Sequence, residues 1–243
     1  MAFTTALLDA NVLHPMVLCD LLIRLAQRGL YRALWTREIL AEVVATVLRR
    51  RPDLSIELLR KRTEAMQAAL QDATVEGYEA LVPTLHELGA DAHVVGAAVF
   101  GQADVIVTSN IRDFPERVLD PYGIAALPPD DFLGQQWWVD PVAVAETLVQ
   151  QAHGTTRPPL TPDDILTRLR FMAPSFVRVV RTSAEYRCHA LPLRSMANPG
   201  LRDGCGEGRV AAARRKAGRC GARSARAIAG LMANFAVATA LNG

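Results

Sequence analysis

Short apolar runs, too brief for helices, alternate along this chain with stretches of helical spacing, and that alternation limits the fold more than any other feature. Thr5-Ala6-Leu7-Leu8 is one such run, and Asp104 to Thr108 carries the clearest β-branched stretch. Between them, Leu13, Val17, Leu21 and Leu25 recur every four residues up to Gly29, which predicts a helix closed by a glycine. Leu30 to Trp35 reads as a second strand, Thr36 as the cap of a helix running through Leu48, and Ile56 to Leu70 as a further helix beyond Pro52. Val75 to Val82 contains Gly77 and is followed by Pro83, which suits strand or loop. A helix over 91–100 precedes the β-branched strand, and the turn Asp120-Pro121-Tyr122-Gly123 leads into a last strand, Ile124 to Leu127. Strands and helices alternating at this spacing predict an α/β fold with a parallel sheet covered on both faces. The functional crevice of such a sheet lies outside the carboxyl ends of its strands.

The pattern changes beyond Pro128-Pro129-Asp130-Asp131. Pro141 to Gln151 and Pro162 to Phe171 read as two helices, the second opened by a cap, a first-turn proline and two acids at Thr161-Pro162-Asp163-Asp164. From Thr182 onward Gly, Ala and Arg dominate without a sustained period. The expected organisation is a domain over 1–135, a helical C-terminal extension over 136–181, and a basic tail over 182–243. That tail is either disordered or the product of a shifted reading frame. It holds ten Lys and Arg against three acids, so the net charge of +2 conceals an acidic body. Any affinity of the body for nucleic acid must then come from local patches.

The start of the chain predicts no secretory leader, since no basic region precedes its apolar run and Asp9 breaks that run. The longest apolar stretch, Ala227 to Leu241, is interrupted by Asn234 and is too short to span a bilayer. Cys19 is the one cysteine before the tail, which excludes a disulfide framework or a zinc knuckle and predicts a cytoplasmic protein without a membrane role. The histidines lack ligand spacing, and no glycine-rich phosphate loop is present.

Four acids then stand out. Asp9 directly follows the first strand, where core packing explains it poorly, although it could also cap a helix starting near Val12. Asp91 lines up with Val94, Val95 and Ala98 at the end of an apolar helical stripe, with helix capping as the alternative. Asp113 lies in Thr108-Ser109-Asn110-Ile111-Arg112-Asp113, where Asn110 offers a second oxygen and Thr108 or Ser109 a hydroxyl; a turn of Asn and Asp side chains would look the same. Glu42 projects away from the Ile39, Val43, Val47 stripe and, by pattern alone, is a solvated acid near Arg49. His93 projects to the side of its helix opposite Asp91 and reads as a surface residue. Carboxylates and carboxamides at one mouth are the oxygen donors that Mg²⁺ or Mn²⁺ prefer.

In order along the chain, Leu7-Leu8-Asp9-Ala10-Asn11-Val12-Leu13, Glu38-Ile39-Leu40-Ala41-Glu42-Val43, Asp91-Ala92-His93-Val94-Val95-Gly96-Ala97-Ala98 and Thr108-Ser109-Asn110-Ile111-Arg112-Asp113-Phe114-Pro115 resemble the signature of PIN-domain ribonucleases. The subgroup they resemble is that of VapC-like toxins with a helical C-terminal extension. The resemblance implies a PIN-like α/β/α sandwich with a central parallel sheet and an acidic pocket for Mg²⁺ or Mn²⁺. Asp9, Glu42, Asp91 and Asp113 would be its metal-site acids, and it is the resemblance that promotes Glu42. Asn110 stands where many relatives have an aspartate and would be a further oxygen ligand. Asn11, Thr108, Ser109 and Arg112 would line the substrate, with a basic rim drawn from Arg28, Arg32, Arg37, Arg49, Arg50, Arg51 and Arg60-Lys61-Arg62. The implied activity is metal-dependent hydrolysis of RNA phosphodiester bonds by the toxin of a toxin-antitoxin pair. A cognate antitoxin and a homodimer are the implied protein partners. The competing expectation is a non-catalytic acidic module, PIN-like or receiver-like, that binds RNA or a protein; a receiver would want a lysine at the sheet edge, and the body has only Lys61.

Overall fold

The computed structural model describes residues 4–155 and 158–190. Four strands, β1 (Thr5–Leu8), β2 (Arg32–Leu34), β3 (Val105–Val107) and β4 (Ala125–Leu127), form one sheet in the order β2-β1-β3-β4, and every pairing is parallel. The register sets Leu7 beside Leu34 on one side and Ile106 on the other. Ala6, Leu7, Leu8, Ile106 and Val107 have no exposed surface, so the two central strands are covered on both faces. That cover is why they read as unbroken apolar runs rather than alternating ones. The chain runs from β1 to β2 on one side and returns to β3 on the other, so the order reverses between β1 and β3. A crevice opens at such a point, at the carboxyl ends of the strands.

The first helices run from α1 (Ala10–Leu13) to α2 (Met16–Gln27), α3 (Arg37–Arg50) and α4 (Ile56–Ala69). Their boundaries follow local chemistry. Thr36 caps α3 by accepting from the Ile39 amide at 3.0 Å, and Ser55 caps α4 by accepting from the Leu58 amide at 3.2 Å. Each such cap stabilises by about 1 kcal/mol. Gly29 ends α2 at φ 75°, a left-handed conformation that a side chain would strain. Arg62 of α4 is buried and donates to the Leu13 and His14 carbonyls, satisfying the C-terminal end of α1.

The ambiguous stretch after α4 resolves into two parts. Thr74 bridges to Trp35 in parallel, extending the sheet edge briefly. A run of 3-10 turns then occupies Glu79–Asp91, interrupted at Leu85 and at Gly89, where φ is 54°. It packs along α5 (Ala92–Phe100), which lies against β1 and β3. Pro83 and Gly89 explain why no α-helix forms there.

After the short α6 (Glu116–Leu119) the C-terminal part holds α7 (Pro129–Val139), α8 (Pro141–Gly154), α9 (Pro162–Leu169), α10 (Pro174–Thr182) and α11 (Ala184–Ala190). Periodicity does not predict α7, although Pro129, Asp130 and Asp131 are themselves helix-start residues. Phe132 of α7 meets Tyr31 edge-on at 4.8 Å between centroids, fastening the extension to the domain. Asp130 accepts from the Ser175 and Phe176 amides at 3.1 and 2.8 Å and so caps α10.

The expected start of the tail at 182 also needs correction. Residues 184–190 are helical and lie against α8, with Tyr186 buried deeply enough to push its hydroxyl pKa up to about 12. The rest of the expected tail, 191–243, lies outside the described residues. Among the described residues no helix is long and apolar enough to cross a membrane.

Candidate metal centre

Asp9 stands at the carboxyl end of β1, with its amide bonded to the Val107 carbonyl of β3 at 3.1 Å. The backbone thereby places its side chain where the strand order reverses. Oδ1 accepts from the Ala10 amide at 2.6 Å, while Oδ2 accepts from the Asn11 side-chain amide at 2.5 Å and the Thr108 hydroxyl at 2.7 Å. Asn11 also donates to the Thr108 hydroxyl at 2.8 Å and accepts from the Ser109 amide at 2.8 Å, tying the two strand-end loops together. Asp9 does cap α1, as its sequence position allowed, and the rest of this network fixes its carboxylate independently of that cap.

Thr108 departs from the expectation that it touches substrate. It is fully buried, and its hydroxyl donates to Asp9 while accepting from Asn11 and from the Asn110 amide, which uses its whole hydrogen-bonding capacity. It orients Asp9 instead. Ser109, Asn110, Arg112 and Asp113 are exposed on the loop and 3-10 turn (Ile111–Asp113) that follow β3.

Asp91 occupies the N-terminal position of α5, yet its side chain makes no capping bond, so the structural explanation offered by sequence fails. Its carboxyl is held above the usual range first by burial and then by the charges of Asp113, Asp9 and Glu42, with His93 opposing. Asp9 is likewise lifted by burial, against the hydrogen bonds from Thr108 and Ala10, with Glu42 adding to the rise and His93 opposing it. The charges of three acids from three other segments thus reach Asp91, and that of Glu42 also reaches Asp9. Like charges gathered in this way are stabilised by a cation.

His93 is the residue that helical periodicity misplaces. It is buried, with Nε2 at 3.2 Å from Glu42 Oε1 and Nδ1 at 3.6 Å from Glu38 Oε2. Burial pulls its pKa down, but the Glu42 hydrogen bond and the charges of Glu42, Glu38 and Asp91 outweigh that and raise it. The helical wheel errs because α5 is enclosed almost all round: every residue from Ala92 to Ala98 is buried. An enclosed helix has no solvent side for a polar residue to mark. Glu42, by pattern an isolated solvated acid, is half-buried and faces this histidine.

The donor set suits Mg²⁺ or Mn²⁺ in kind, being carboxylate and carboxamide oxygens with a surplus of negative charge. Among the described residues, no group of three or more His, Cys, Asp and Glu side chains is drawn close enough to hold an ion as it stands.

The expected basic rim shrinks. Arg62 is buried against α1, Arg28 pairs with Glu146 at 2.8 Å, Arg37 with Glu76 at 2.9 Å and Arg51 with Asp53 at 2.7 Å. Arg112, exposed beside Asp113, is the cation closest in sequence to the mouth.

Comparison with known proteins agrees with this architecture. The PIN domain profile matches residues 5–112, and the VapC50 C-terminal domain profile matches residues 129–182. The chain is 37% identical over 112 residues to the protein named "Putative ribonuclease VapC50" of Mycobacterium tuberculosis (strain ATCC 25618 / H37Rv). That stretch is 46% of this chain and 66% of the relative, just short of two thirds of its length. No solved structure matches. Residues 5–112 thus match a PIN domain and residues 129–182 a VapC50-type C-terminal domain, the order of parts that a VapC-like chain with a C-terminal extension has.

Proposed function

We propose that this chain is a divalent-metal-dependent endoribonuclease that hydrolyses RNA phosphodiester bonds, acting in the cytoplasm as the toxin of a toxin-antitoxin pair. What supports the reading is Asp9 fixed at the carboxyl end of β1, where the strand order reverses, and Asp91, raised by burial and then by the charges of Asp113, Asp9 and Glu42. Asp9, Glu42, Asp91 and Asp113 would hold the ion, with Asn110 at the edge of the set. Bound there, Mg²⁺ or Mn²⁺ supplies Lewis-acid neutralisation of the charge that grows on the phosphate oxygens.

The chain's own residues do the rest. Thr108, Asn11 and the Ala10 amide lock Asp9 in one orientation, so little reorganisation is needed when substrate arrives. Asp113 and Arg112, adjacent on an exposed turn, set an acid for the ion beside a cation for the RNA backbone. Ser109 and Asn11 flank the same entrance. An acidic mouth without its ion repels a polyanion, so substrate binding and ion binding are coupled. An antitoxin and a second copy of the chain are the protein partners that the VapC-like grouping supports.

RNA incubated with the full chain in Mn²⁺ and in excess EDTA tests the reading. Cleavage in Mn²⁺ and none in EDTA is expected. Equal cleavage in both would overturn it, and RNA bound but uncut in Mn²⁺ would assign the chain to the non-catalytic alternative.

A further inference from the structure

We propose that His93 is a positioning residue that holds the Glu42 carboxylate at the acidic mouth through its ring Nε2. This rests on the reading of that mouth as an ion site.

Glu42 lies on α3, where a half-exposed glutamate is free to turn among many rotamers. Ordering such a side chain costs rotamer entropy, so a carboxylate needed in one place benefits from a fixed partner. His93 is that partner: it is 6% exposed, built into the enclosed helix α5, and its Nε2 stands 3.2 Å from Glu42 Oε1. Its other nitrogen is not similarly engaged. Nδ1 is buried without a hydrogen-bond partner, since Glu38 Oε2 is 3.6 Å away and accepts instead from the Tyr78 hydroxyl at 3.1 Å.

A residue chosen only to fill space between α3 and α5 would be apolar, because a buried imidazole with an unsatisfied nitrogen carries a desolvation cost that leucine would not. Position in the chain supports the same role. His93 follows Asp91 by two residues on the same rigid segment, so the element that presents one acid of the mouth also anchors a second acid from α3. Histidine and carboxylate partners that orient ion ligands typically change ion affinity or activity about 10–100-fold when removed.

The test uses the isosteric pair His93→Gln and His93→Asn. The glutamine amide nitrogen reaches about as far as Nε2, and the asparagine nitrogen about as far as Nδ1. Mn²⁺ affinity of the full chain is measured by calorimetry without RNA, beside thermal melting and the rate of RNA cleavage. His93→Asn is expected to weaken Mn²⁺ binding and cleavage about 10–100-fold, with His93→Gln staying within about threefold of the parent. The proposal is overturned if the two variants lose equally, or if folded His93→Asn binds Mn²⁺ like the parent. Should His93→Asn not fold, a folded His93→Gln that has lost tenfold or more overturns it alone. Glu42→Gln separates this from the underlying reading: if that variant binds Mn²⁺ undiminished, the ion site is wrong; if it fails while His93→Asn does not, only the histidine's role is wrong.

Discussion

Asp9→Asn is expected to lower RNA cleavage on the order of 10²–10³-fold while the protein stays folded, because it removes charge where the reaction needs it and little of the packing. The asparagine oxygen can still accept from the Ala10 amide. Its amide nitrogen then replaces Oδ2, which now faces two donors, the Asn11 amide and the Thr108 hydroxyl. Both lone pairs of Thr108 already accept, from Asn11 and from the Asn110 amide, so the Thr108 O–H and one Asn11 N–H each lose an acceptor, at about 1–3 kcal/mol apiece. Against this, burial already disfavours the Asp9 charge more than its hydrogen bonds favour it, and the neutral amide removes that burden. The two effects oppose, so a folded protein with a moderately lowered melting temperature should accompany the loss of cleavage. Cleavage within about threefold of the parent, in protein shown to be folded, would remove Asp9 from the site.

Asp20→Ala is expected to give the largest loss of stability, about 3–5 kcal/mol, by stranding a buried arginine. Asp20 is 3% exposed on α2 and bonds Arg24 Nε at 2.9 Å. Burial, partly offset by Arg24, holds its carboxyl above the ordinary range, so the pair is tolerated rather than favourable. Arg24 Nη2 is already buried without a hydrogen-bond partner, and a Cβ on Gly154 would come within 3.1 Å of it. The guanidinium is thus wedged between α2 and the end of α8. Beside it, Gln151 donates to the Val17 carbonyl at 2.8 Å, and Arg28 pairs with Glu146. These contacts join the C-terminal extension to the sheet domain through α2. In a protein of this size the loss corresponds to a fall in melting temperature of about 6–20 °C, measurable by circular dichroism. The double variant Asp20→Leu with Arg24→Met should recover most of it, since an apolar pair needs no counterion. A melting point for Asp20→Ala within about 2 °C of the parent would show that the buried charge is better solvated than its surroundings suggest.

Elements with strong local signals are legible in the chain itself. Thr5–Leu8 and the Val105–Val107 core are dense in apolar residues, while Thr36, Ser55 and Thr161 mark helix starts by chemistry that acts within one turn. What escapes depends on packing. Residues 129–139 and 184–190 are helical because Phe132 and Tyr186 find buried partners on elements distant in sequence. Periodicity cannot report such contacts. The acids divide in the same way. Asp9 is legible because a charge after a buried strand has few explanations, whereas Glu42 is not, since its partner His93 lies on another helix. His93 is misplaced by pattern because a helix enclosed all round offers no polar side by which to orient it. For Thr108, local context does not reveal that its hydroxyl is used up by Asp9, Asn11 and the Asn110 amide.

The most direct measurement is an anomalous difference map, at the manganese edge, from crystals of the full chain grown with Mn²⁺. A peak is predicted at the carboxyl ends of β1 and β3, in contact with Asp9 and Asp91 and within one water of Glu42 or Asp113. Crystals whose manganese lies elsewhere, or that hold none at saturating concentration while the four acids stay apart, would contradict the assignment of an ion to this mouth.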